Sequence, residues 1–169
     1  MEPTDLIDDL QSHLDSRMQP EVIVPGSEQR PVPGVIIEDW SVTHLDGSMT
    51  RYLTSLYDDQ GNETARVYRI PYDCRVSIMV RDVGEIGASR LNDSLGKELM
   101  RLEARPQRLN DSVSMVEMQG GRGIDHQFVN PSEAEFHQSV TLTTSLVYED
   151  TTFDTIETIT SEIEIVDTI

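Results

Sequence analysis

The run Tyr72-Asp73-Cys74-Arg75-Val76-Ser77-Ile78-Met79-Val80-Arg81 decides the fold. Tyr72, Cys74, Val76, Ile78 and Val80 point one way, and Asp73, Arg75, Ser77 and Arg81 the other, with Met79 the one exception. Side chains alternate along a strand, so this pattern predicts a strand with one face in the core and one in water. Directly after it, Ala88, Leu91, Leu95, Leu99 and Leu102 recur at helical spacing from Gly84 to Arg105, and Pro106 ends the run. A strand followed at once by an amphipathic helix calls for a sheet with that helix on one face.

Working outward, Arg51–Tyr57 and Thr64–Ile70 flank Asp58-Asp59-Gln60-Gly61-Asn62 and predict a hairpin. Val35–Thr43 reads as a strand, Glu21–Pro25 as a short one, and the Pro- and Gly-rich stretch 25–34 as a loop. Asp46-Gly47-Ser48 marks a turn. Leu6, Ile7, Leu10 and Leu14 predict a helix over 4–17, with Thr4 as its cap and Pro20 as its stop. Val113, Met115 and Val116 suggest one more strand, followed by a Gly-rich loop at 119–131. The alternation of Val140, Leu142, Leu146 and Tyr148 gives a strand over 138–149. The sum is an α+β single domain: a mostly antiparallel sheet, an N-terminal helix and a second amphipathic helix packed on one face. The domain is expected over 1–150. Residues 151–169, β-branched and acidic, read as an extended segment that either pairs with a neighbouring subunit or pairs within its own sheet or stays loose.

The chain has 169 residues and a net charge of -18, with 31 acids against 13 bases. Twelve of those bases are Arg, and Lys97 is the only lysine. Phosphate binding needs clustered cations, so a grip on DNA or an anionic membrane is not expected. No apolar run has the length of a membrane helix, and the acidic start lacks a basic leader, so neither a span nor a secretory signal is expected. The acids are spread along the whole length, which fits a folded protein of a high-salt cytoplasm. At molar salt the Debye length is ~3 Å, and repulsion among carboxylates is nearly lost.

Chemistry is sparse. His13, His44, His126 and His137 lack metal spacing, His13 sits in the first helix among surface acids, and Cys74 lies on the apolar side of its strand. Gly120-Gly121-Arg122-Gly123 matches no phosphate-binding loop. Asp125, His126 and Asp73 are the best polar candidates for a small enzyme or ligand-binding domain. The expectation is no catalytic residue, no cofactor and no metal.

The order of elements resembles the tail terminator proteins of long-tailed viruses, also called tail completion or tail-to-head joining proteins. The carrying features are the opening helix Asp5-Leu6-Ile7-Asp8-Asp9-Leu10, the Pro-rich strand entry, the strand Tyr72 to Arg81 running into Gly84–Arg105 with its closing Arg-Pro, and the strand led by Phe136-His137-Gln138-Ser139-Val140-Thr141-Leu142-Thr143 after a Gly-rich loop. The resemblance covers residues 4–150. With the salt signature it implies a virion protein of a haloarchaeal tailed virus. Such a protein forms a ring, usually of six, on the tail tube protein, ends tube growth and offers a surface to the head-side stopper. DNA passes through the ring without specific binding, and no enzyme activity is implied. Contacts are then expected at Pro25, Arg30, Pro31 and Pro33, at Arg122, Ile124, His126 and Phe128, and at Phe153, Ile156, Ile159, Ile163 and Ile165. A head-side stopper, a tube protein, or a small halophilic ligand-binding or enzyme domain are the alternatives.

Overall fold

The computed structural model describes residues 1–20, 22–24, 31–45, 50–119 and 133–151, and the backbone of 125–130. The elements run α1 (Pro3–Asp15), β1 (Val22–Ile23), β2 (Gly34–His44), β3 (Arg51–Tyr57), β4 (Glu63–Val83), α2 (Gly84–Ala104), β5 (Met115–Gln119), β6 (Asp125–Asn130) and β7 (Glu133–Asp150), with a 3-10 turn at Pro106–Arg108. One sheet carries all the strands in the order β1-β2-β4-β7-β5, with β3 paired to β4 and β6 to β7. The β1–β2 pairing is parallel, and the pairs of β2 and β3 with β4, and of β5 and β6 with β7, are antiparallel. The fold is therefore α+β, as the alternating strand and the helix after it require.

Two compact units divide the chain. The first holds residues 1–44 and 72–144 and contains both helices. Its core is the even-numbered face of β4: Tyr72, Cys74, Val76, Ile78 and Val80 are all buried, with Val140 and Leu142 of β7. Leu6, Ile7, Leu10 and Leu14 of α1, and Ala88, Leu91, Leu95, Leu99 and Leu102 of α2, bury their apolar stripes. Polar links fix the layers: Tyr72 donates from its hydroxyl to the Met1 carbonyl at 2.9 Å, and Gln138 Nε2 donates to Asn92 Oδ1 on α2 at 2.6 Å.

The helix boundaries shift from the sequence reading for local reasons. Thr4 is not the cap: Glu2 holds that place, and Pro3 opens the helix with its φ already fixed. The helix closes at Asp15, ahead of Pro20. α2 starts where Gly84 takes φ +72°, a conformation costly for any side chain. A Cβ on Gly87 would stand 2.8 Å from Asp82 Oδ2, so the first turn stays close to that carboxylate.

The second unit comprises residues 45–71 and 145–169. Its described part is the β3–β4 hairpin and the end of β7. Asp58 closes the hairpin turn, accepting from the backbone N–H of Gln60 and of Asn62 at 2.8 Å each, while Gly61 takes φ +83°.

Three strand readings change. The segments 64–70 and 72–81 are one strand of 21 residues. Pro71 is accommodated at the point where the neighbour changes from β3, last paired at Arg69, to β2, first paired at Tyr72; there its carbonyl accepts from the Leu45 N–H at 3.2 Å. The last strand begins at Glu133, earlier than 138. Residues 125–130, expected within a loop, form β6 against the start of β7.

Candidate functional site

The face of the first unit's sheet that carries the odd-numbered residues of β4 and β7, opposite the face that bonds α2 through Gln138, gathers charge. Arg81 on β4 donates from Nη2 to Glu133 Oε2 at 2.7 Å, and its Nε lies 3.2 Å from Glu135 Oε1. The Nε contact is an ion pair without a hydrogen bond. His137 Nδ1 stands 2.9 Å from Glu38 Oε2 on β2, and His137 Nε2 stands 4.0 Å from Glu135 Oε2. Five side chains from three strands thus form one chain of contacts. Ile36 and Met79, partners across β2 and β4, are buried on this face too, which explains the exception of Met79 to the alternation. The network escaped the sequence because its members sit at alternate positions of strands far apart in the chain.

Farther along this face Thr143 Oγ1 donates to Asp73 Oδ1 at 2.6 Å. Asp125 pairs with His137, six residues along β7 from Thr143, which is ~20 Å at strand rise. Asp73, Asp125 and His126 therefore do not meet in one pocket, and Asp125 and His126 lie on a strand. Among the described residues no three His, Cys, Asp or Glu side chains come together as a metal would need. Cys74 is fully buried, and burial pushes its thiol up to about 11.

His13 is set differently from the surface reading its acidic neighbours suggest. Its ring is partly buried, with Nε2 enclosed and unbonded. Desolvation holds its pKa below the ordinary value; the Glu98 carboxylate opposes this, and Arg17 and Arg108 add to it.

The second unit carries the exposed apolar surface. Tyr52, Leu53, Leu56 and Tyr57 of β3 all stand in water, Tyr57 at 64%, as do Val147 and Tyr148 of β7. Tyr52 packs edge-to-face on Tyr68 with ring centres 5.9 Å apart, and its hydroxyl lies 2.8 Å from Ser55 Oγ. Ser55 in turn bonds Glu63, and Arg66 grips Glu63 through Nε and Nη2 at 3.1 and 3.2 Å. These hydrogen bonds hold Glu63 below its usual pKa. The hairpin is thus stiffened by polar contacts while Tyr52, Leu53, Leu56 and Tyr57 remain in solvent. Contiguous exposed apolar groups on a stiff ribbon are the mark of a contact surface.

Of the contact residues expected from sequence, Pro31 is half-buried and Pro33 exposed ahead of β2. A Cβ on Gly34 would come within 2.4 Å of the Pro31 carbonyl oxygen, so this entry closes tightly. His126 and Phe128 lie on the β6 backbone. Pro25, Arg30, Arg122, Ile124, Phe153, Ile156, Ile159, Ile163 and Ile165 fall outside the described residues. The ribbon residues were missed as contacts because the sequence marks Arg51–Tyr57 only as one arm of a hairpin, and whether another strand covers that arm is a tertiary matter.

No protein-family model matches the chain, and no curated protein matches it significantly.

Proposed function

We propose that the chain is a structural virion protein of the tail-terminator kind: a ring, of six subunits, at the head-proximal end of a tail tube, made in a high-salt host. The ring ends tube growth and meets the head-side neck, and DNA passes through it unbound. The observation that carries this reading is the exposed apolar ribbon of β3, stiffened by the Tyr52–Ser55–Glu63–Arg66 contacts and left uncovered within its own chain's described residues. Ring contacts are heterologous, one patch of a subunit against a different patch of the next, and such a ribbon supplies one of the two patches. Charge supports the same reading: at -18 the lumen of a ring would repel the DNA backbone.

Light scattering at ~3 M KCl, where surface repulsion is screened, tests it. The expected species is a closed ring near six times the 19.1 kDa chain mass. A chain ending at residue 150 is expected to keep its circular dichroism and lose the ring. Open-ended growth would instead identify a tube protein. A monomer that joins neither isolated tail tubes nor itself would refute the assembly reading.

A further inference from the structure

We propose that the outer edge of β3 accepts the C-terminal segment of a neighbouring subunit as an added strand, an inference that rests on the ring reading above. β3 pairs with β4, and among the described residues no strand lies on its other side. Such an edge presents a row of backbone N–H and C=O groups ready to take up an extended chain. Register slips beside Tyr52 and Tyr57 confine the regular stretch to Thr54–Leu56. The backbone pairing is therefore short, and burial of Leu53, Leu56 and Tyr57 supplies the rest.

The occupant follows from charge and pattern. Residues 152–169 contain five acids and no base, and Glu162-Ile163-Glu164-Ile165 alternates with the period of a strand. Eighteen residues span up to ~60 Å when extended, so a neighbour is within reach. Like charges facing each other across strands are destabilising, so an acidic segment needs an edge free of acids. β5 carries Glu117, β6 carries Asp125, and the outer part of β2 carries Glu38 and Asp39. β1 has no acid but is only two residues long, whereas β3 offers seven, with Arg51 and no acid.

A second observation points the same way. Arg51 lies directly opposite Arg69 in the β3–β4 register, and both are exposed. Among the described residues neither has a carboxylate partner, in a chain where acids outnumber bases 31 to 13. A like-charged cross-strand pair weakens the ribbon by itself, and carboxylates delivered alongside it relieve that repulsion. Glu162 and Glu164, flanking Ile163, have the spacing to do so on one face of an added strand.

The test uses full-length protein with p-benzoylphenylalanine at position 163, mixed in equal parts as normal and nitrogen-15-labelled chains, and irradiated at ~3 M KCl. The expected product joins residue 163 of one isotope to the tryptic fragment 52–66 of the other. Arg51→Glu with Arg69→Glu should lower the mixed-isotope yield about fivefold, read on the longer fragment 18–66 because this variant lacks the cleavage site at residue 51. Same-isotope products alone would place the segment on its own chain and overturn the proposal, as would cross-links to another fragment or none. Light scattering of the unmodified protein keeps the two ideas separate. A six-subunit ring without the mixed product sinks the strand exchange and leaves the ring. The mixed product in a species that never closes sinks the ring and leaves the exchange.

Discussion

Replacing Arg81 by methionine separates the charge network from the packing beneath it. Methionine keeps much of the apolar stem and removes the guanidinium that serves two carboxylates. The Arg81 side chain is 15% exposed, Glu135 11% and Glu133 24%. Glu133 regains water readily when its partner goes. Glu135 does not, and it becomes a buried, poorly compensated charge. Removing one partner of a fully buried pair costs ~3–5 kcal/mol. With the remaining exposure of this site the expected loss is ~2–3 kcal/mol, or about 5–10 °C in melting temperature for a chain of this size. The burial shields the contact from salt, so the loss should persist at ~3 M KCl. Arg101→Met is the contrast: Arg101 pairs with Glu98 but is 59% exposed, and its loss should stay below ~1 kcal/mol. Adding Glu135→Gln to Arg81→Met should restore part of the lost stability, because the stranded charge is gone. Thermal unfolding by circular dichroism at low and high salt reads all four proteins. An Arg81→Met melting point within ~2 °C of the parent would refute the reasoning, as would equal losses for Arg81→Met and Arg101→Met.

Leu95→Ala removes a fully buried side chain from the centre of α2 and should cost ~2–5 kcal/mol, seen as a lower urea midpoint with an unchanged slope. The pKa of His13 is held below 6.5 in the fold, so the unfolded chain takes its proton first as pH falls. Stability should therefore decline below about pH 6.5, and His13→Gln should flatten that decline; a parallel pH curve for the variant would contradict it. At the alkaline end Tyr72 is raised to about 12 and Cys74 to about 11, chiefly by burial. Both hold stability that is complete below their unfolded values of 10.0 and 9.0 and is lost as pH rises through the folded ones, so unfolding should ease steadily above pH 9 and Cys74→Ala should remove the lower part of that trend. For the same reason, the native Cys74 thiol should resist a thiol reagent at pH 8 and react once urea exposes it.

Periodicity carried most of the fold because each element has a stripe that water enforces locally. The stripe of α2 and the even positions of β4 are buried as their spacing requires, and β3 spans the very residues the hairpin pattern marked. Where the local rule met a tertiary circumstance it failed. Pro71 looks like a break between two strands, yet it stands where the neighbouring strand changes: its carbonyl still accepts from the Leu45 N–H at 3.2 Å, and the N–H it lacks costs only one rung at the end of the β2 ladder. β6 follows a glycine-rich stretch and reads as loop, yet the start of β7 offers it an edge to pair with. His13 reads as surface among its neighbours in sequence, while its ring is partly enclosed, with Glu98 and Arg108 among the charges that act on it.

By itself the sequence determined the fold class, both helices, the hairpin and the acidic surface, since these depend on residue type and short-range spacing. Tertiary structure decided which strands share edges, and with that everything offered as a site. The Arg81–Glu135–His137–Glu38 chain needs three strands side by side, and the exposed ribbon needs an edge that no other described strand covers. Pairings of that kind join residues tens of positions apart, where periodicity within a segment carries no information about register or neighbour.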